Sequence, residues 1–125
     1  MRLVLGFLLL GSGLLTCADW PRFRGGNGNG VADTGSLPPK FNPRENLIWR
    51  IDLPPGHSSP VLSEAHIYLT AFEGDKLLTI CLNRSSGKVL WKREAPRARN
   101  DKVDKRNSPA SPSPVTDGQI GRAHV

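Results

Sequence analysis

Leu47-Ile48-Trp49-Arg50-Ile51-Asp52-Leu53-Pro54 and Val89-Leu90-Trp91-Lys92-Arg93-Glu94-Ala95-Pro96 are two copies of one pattern, aligned without a gap 42 residues apart. Two apolar residues, a Trp, a base, an acid and a Pro recur in register. Ser59-Pro60-Val61 then aligns on Ser113-Pro114-Val115. Self-similarity at a period near 40 residues marks a repeat array, in which each unit buries its apolar face only against its neighbours.

Working outward from the copies, the chain reads as short strands between turn signals. Strands are expected at Asn46–Ile51, Ser59–Leu62, His66–Thr70, Leu77–Leu82, Val89–Arg93 and Pro112–Thr116. The turns between them are Pro54-Pro55-Gly56, Ser63-Glu64, Glu73-Gly74-Asp75, Ser85-Ser86-Gly87-Lys88 and Asp117-Gly118. Gly in the longer turns permits the positive φ that tight hairpins use. Strands at intervals of about 8 to 12 residues argue for an all-β array, and beyond the N-terminal leader no window carries helical i, i+3, i+4, i+7 spacing. A period near 40 residues is the signature of propeller blades and related arrays. The fold expected is all-β: a signal peptide, then a partial propeller of about one four-stranded blade plus the start of the next.

Both ends are set apart from the fold. Met1-Arg2 precedes the apolar run Leu3–Leu15, which is the length of a secretory h-region and short for a membrane span. Thr16-Cys17-Ala18 is a small-x-small site for cleavage after Ala18. As a lipobox it would instead make Cys17 a lipidated N-terminus. Cleavage is favoured, because Thr is awkward before a lipidated Cys. Ile120-Gly121-Arg122-Ala123-His124-Val125 is the direct translation of ATC GGA AGA GCA CAC GTC, a string within a widely used short-read sequencing adapter. Residues 119–125 are therefore read as an adapter scar. The organisation expected is 1–18 signal peptide, 19–45 irregular docking segment, 46–118 partial propeller and 119–125 scar. The location expected is periplasmic or extracellular, with a membrane anchor only if Cys17 is lipidated.

The formal net charge is +6, from 17 Lys+Arg and 11 Asp+Glu. The set-aside ends carry Arg2 and Arg122 and no acid, which leaves +4. That balance is too mild for a nucleic-acid tail, and no nucleic-acid partner is expected. Lys92–Arg106 is rich in bases but also holds Glu94, Asp101 and Asp104, without interleaved aromatics, so it reads as a solvated loop. Cys81 lies in the apolar run Leu77–Leu82 and reads as a buried small hydrophobe. His57 is read as a loop residue and His66 as a strand residue. No pair of His or Cys has metal-ligand spacing. Arg24–Gly30 fits neither a phosphate-cradling loop nor a calcium loop, and Trp20 and Phe23 are expected to pin the segment around it to the body. Trp49 and Trp91 are expected to wedge between neighbouring sheets, with the indole N–H reaching a backbone carbonyl.

Gly87-Lys88-Val89-Leu90-Trp91 resembles the G-K-x-x-W ending of the pyrroloquinoline-quinone-type propeller repeat. Ile67–Thr70, Leu77–Leu82 and Ser85–Trp91 together resemble the whole unit, with departures at Cys81 and at Asn83, where that family usually has Asp. Asp19–Gly25 resembles the start of exported proteins of the same superfamily. The resemblance spans Asp19 to Gly118. It implies a non-catalytic scaffold or binding propeller, similar to the outer-membrane assembly lipoprotein of the family, with protein partners. The alternative it implies is a periplasmic dehydrogenase that uses pyrroloquinoline quinone and calcium to oxidise an alcohol or sugar, with its catalytic residues beyond this stretch. No catalytic, cofactor-binding or metal-binding residue is assigned in this stretch.

Overall fold

Residues 66–94 alternate in the way a two-sided sheet requires, and the ladders follow that alternation. The structure, a computed structural model, describes residues 19–32, 38–96 and 103–117 and the backbone of 121–122. The leader expected over 1–18 and the rest of the tail 119–125 lie outside these residues. The strands are β1 (Val61–Leu62), β2 (His66–Glu73), β3 (Lys76–Asn83), β4 (Val89–Glu94), β5 (Val115–Thr116) and β6 (Gly121–Arg122). β1 to β4 form one antiparallel sheet in chain order, and β5 pairs with β6. There is no helix among the described residues, so the all-β expectation holds.

β3 is central, and its apolar run supplies both faces. Leu78, Ile80 and Leu82 pack with Ala71 on one side. Cys81 packs with Val61 and Tyr68 on the other. Burying an Ile or Leu side chain contributes about 1.5–3 kcal/mol, so β3 is the main source of the sheet's cohesion. Glu73 pairs with Lys76 across a two-residue turn. Positive φ falls on Gly74 alone, at +58°, as a type II′ hairpin requires. A bulge between Cys81 and Leu82 shifts the β3–β4 register, so that Trp91 opposes Cys81 and Val89 opposes Leu82.

The two faces are covered by the two ends of the repeat pattern. Trp49, Ile51 and Leu53 lie on the Ala71–Leu78–Ile80–Leu82 face. On the opposite face, Thr70 Oγ1 donates to Ala110 O (3.2 Å) and to Pro112 O (2.8 Å). Ser59 N donates to Ser113 Oγ at 2.9 Å, which joins the two Ser-Pro-Val copies directly. β5 pairs with β6 through Val115↔Arg122 and Thr116↔Gly121, but β6 falls within 119–125, the stretch set apart above as an adapter scar, so this ladder bears on no native pairing.

Several expectations are corrected. Asn46–Ile51 forms no strand: Asn46 sits in a bend at φ +59°, and residues 47–51 join no ladder. The strands expected at Ser59–Leu62 and Pro112–Thr116 shrink to two residues each, since Pro60 and Pro114 have no N–H to give a ladder. Trp20 does pin the N-terminal segment: it exchanges backbone hydrogen bonds with Leu62 at 2.8 and 2.9 Å. Phe23 does not. It stays exposed, with the Arg24 guanidinium 5.6 Å from its ring centre.

Candidate functional site

The most specific side-chain geometry in the molecule lies where the first repeat copy meets the second. Asn83 closes β3, and its Oδ1 accepts from Ser85 N (3.1 Å) and Ser86 N (2.9 Å) and from both of their hydroxyls. This local acceptor holds the chain in a loop instead of a longer strand. Gly87 follows at φ +70° and donates its N–H to Asn83 O. The indole of Trp49 lies flat over that glycine. A Cβ at residue 87 would stand 2.4 Å from Trp49 Cε3, so only glycine admits the ring. Trp49 Nε1 donates to Arg84 O at 2.9 Å. The indole is therefore fixed both by contact and by a hydrogen bond: its N–H reaches a backbone carbonyl as expected, while the ring packs on the face of the β1–β4 sheet and not between two sheets.

Arg84 works in the opposite direction. Its Nη1 donates to Ser63 O at 2.7 Å and lies 3.9 Å from Asp19 Oδ1, while its backbone N–H donates to Ala65 O. One residue thus ties the β3–β4 turn to the β1–β2 turn and to the N-terminal segment. Sequence reading missed this, because a single Arg in a Ser-rich turn carries no pattern. It also read Gly87 only as a turn former; the close approach of Trp49 is a long-range contact with no local mark.

Trp91 is the counterpart of Trp49 in the second copy of the sequence pattern, but it lies in β4 and on the other face of the sheet. It packs on the Val61–Tyr68–Cys81 face, 6.1 Å from the Tyr68 ring, with the Arg93 guanidinium 5.1 Å from its own ring centre. Tyr68 and Cys81 oppose each other across the ladder. Burial pushes the Tyr68 phenol up, with further contributions from the Cys81 charge, a hydrogen bond to Cys81 and Asp117. Burial also pushes the Cys81 thiol up, against a lowering hydrogen bond with Tyr68. A buried thiol held neutral is a packing residue.

The remaining candidates separate from one another. His57 is exposed, and its backbone N–H donates to Ala110 O. His66 lies in β2 with its ring 6.0 Å from Tyr68. In the basic stretch, Lys92 meets Glu73 at 3.0 Å and Asp104 meets Arg106 at 3.0 Å, so its charges are partly paired at the surface. No group of three or more His, Cys, Asp or Glu is placed to hold a metal ion among the described residues. A shallow cavity of about 450 Å³ is lined by Phe41, Asn42, Pro43, Asn46, Leu47 and Arg50. No family model, curated protein or solved structure matches the chain.

Proposed function

We propose that this chain is part of an exported β-propeller of the pyrroloquinoline-quinone repeat type, which serves as a non-catalytic scaffold for protein partners. The observation that carries the reading is the seat of Trp49 on Gly87 and Arg84 O. The Trp that ends one repeat copy docks on the glycine turn just before the Trp that ends the next. A rule that each unit applies to its successor is how a radial array propagates. The antiparallel sheet order β1-β2-β3-β4 is in keeping with it.

The dehydrogenase alternative needs carboxylates gathered around calcium beside the quinone. That alternative places its catalytic residues beyond this stretch, so experiment has to separate the two readings. The test has two parts. The uninterrupted reading frame is expected to hold further units ending in Trp about every 40 residues, each with a Gly four positions before the Trp. The purified full-length protein is expected to leave the absorbance of added pyrroloquinoline quinone unchanged in calcium buffer. Saturable quinone uptake with dye-linked alcohol oxidation would replace the scaffold with the enzyme. A frame without further repeats would remove the propeller.

A further inference from the structure

Gly26-Asn27-Gly28-Asn29-Gly30 holds two Asn-Gly steps, and each Asn has a glycine on both sides. The side-chain carbonyl carbon of an Asn is open to attack by the backbone nitrogen of the next residue. A glycine in that next position has no Cβ to obstruct the approach. Both Asn residues are exposed, so water and base reach them. Their immediate neighbours are identical, so the fold decides which of the two reacts first.

Each Asn already has a backbone donor on the oxygen that would carry negative charge during attack. Asn27 Oδ1 accepts from Asn29 N–H at 3.1 Å, and Asn29 Oδ1 accepts from Val31 N–H at 2.8 Å. A donor placed there stabilises the charge as it develops. The two attacking nitrogens are held differently. Gly30 N–H donates to Arg24 O at 3.0 Å and closes the loop. Gly28 N–H donates to Gly25 O at 3.2 Å and shares that acceptor with Arg22 Nε, which donates to the same oxygen at 3.1 Å. The longer, shared bond is the weaker one, so the Gly28 nitrogen is released more easily. Gly25 is fixed under the Trp20 ring, so its carbonyl stays behind when Gly28 turns towards Asn27.

We propose that Asn27 is a self-modification site that deamidates through a cyclic imide, ahead of Asn29. The Gly28 nitrogen loses its proton to base and bonds to Asn27 Cγ. The Cγ–Nδ2 bond breaks, and ammonia leaves after taking up a proton. Water then opens the ring, with no oxidant or reductant involved. Attack at Cγ gives aspartate with the main chain unchanged. Attack at the backbone carbonyl gives isoaspartate, whose main chain runs through Cβ. Both products replace a neutral amide by a carboxylate. The second also lengthens the stretch that the Gly30-to-Arg24 hydrogen bond closes, and it displaces that bond.

The test holds the full chain in mildly alkaline buffer made with heavy-oxygen water, beside a sample in urea. Tryptic digestion releases residues 25–40, and electron-transfer fragmentation reads each Asn separately and distinguishes aspartate from isoaspartate. In the folded protein Asn27 is expected to convert about three times as fast as Asn29 or faster, the discrimination that one net backbone hydrogen bond supplies. Each event should retain one heavy oxygen. In urea the two rates are expected to be equal. Asn27→Ser should leave only the slow reaction at Asn29, and Asn29→Ser should leave the fast one at Asn27. Earlier conversion of Asn29, the same ratio of rates in buffer and in urea, or no conversion in the folded protein would each overturn the proposal.

Discussion

Gly87 acts through the side chain it lacks. Any Cβ there strikes Trp49, and φ +70° is itself unfavourable for an L-residue. Gly87→Ala is expected to cost about 2–4 kcal/mol of unfolding free energy, read from denaturant midpoints together with a red-shifted Trp emission. Gly26, with open space around it, supplies the control: Gly26→Ala should stay within about 0.5 kcal/mol. A second residue-scale effect concerns alkaline pH. Cys81 and Tyr68 both titrate above their ordinary values of 9.0 and 10.0, because burial disfavours their charged forms. The unfolded chain therefore loses these protons first. Their contribution is complete below about pH 9 and declines as pH rises through the folded values. Melting temperature should fall from pH 8.5 upward, and Cys81→Ala should flatten the onset of that fall. A melting temperature independent of pH up to 10.5 would show that neither group is held neutral by the fold.

At the scale of elements, Trp49 and the Asn83–Lys88 turn behave as one joint. Removing either side of a shared contact costs most of what the contact supplies. Trp49→Ala and Gly87→Ala should therefore combine to clearly less than their sum, with a coupling of about 1–2 kcal/mol in a double-mutant cycle. Strict additivity would mean that the indole and the glycine turn are independent. Local signals explain why the hairpins were legible in the sequence. The apolar run Leu77–Leu82 with Gly74-Asp75 before it and Gly87 after it fixes β2, β3 and β4 to within a few residues. The same alternation misled at Asn46–Ile51. The pattern of a strand is written in its own residues, but its hydrogen bonds belong to a neighbour, and none is described beside it. Phe23 shows the other limit: two aromatics three positions apart look equivalent in sequence, yet only Trp20 reaches Leu62 and rests on Gly25. The Trp49 seat could be anticipated only in kind. The sequence reading implied an indole N–H on a backbone carbonyl; it did not say that Arg84 O and Gly87 would receive the ring.

For the molecule as a whole, cohesion comes from one four-stranded sheet whose faces are covered by single extended segments instead of full sheets. The coverage is uneven. Val61 is fully buried beneath Tyr68 and Cys81, whereas its repeat equivalent Val115 is 49% exposed. Leu90, on the outer strand β4, is 45% exposed, and the edge at Leu47–Pro54 is open. In a repeat array each of these is an interface, and interface terms supply most of the stability. A chain holding one sheet with such surfaces uncovered is expected to be marginally stable and to associate through its edges. Sedimentation velocity on the purified protein should therefore give weight-average mass rising with concentration, and thermal melting should be broad. Ile48→Lys with Leu90→Lys places charge on the two open edges without touching the buried face of β3. The pair should reduce the association while leaving the far-ultraviolet spectrum of the sheet unchanged. A protein that stays monomeric at its highest soluble concentration and melts in one sharp cooperative step would mean that these surfaces need no neighbour. The reading of the chain as one unit of a closed ring would then fail, whatever the resemblance of Gly87–Trp91 to a propeller repeat.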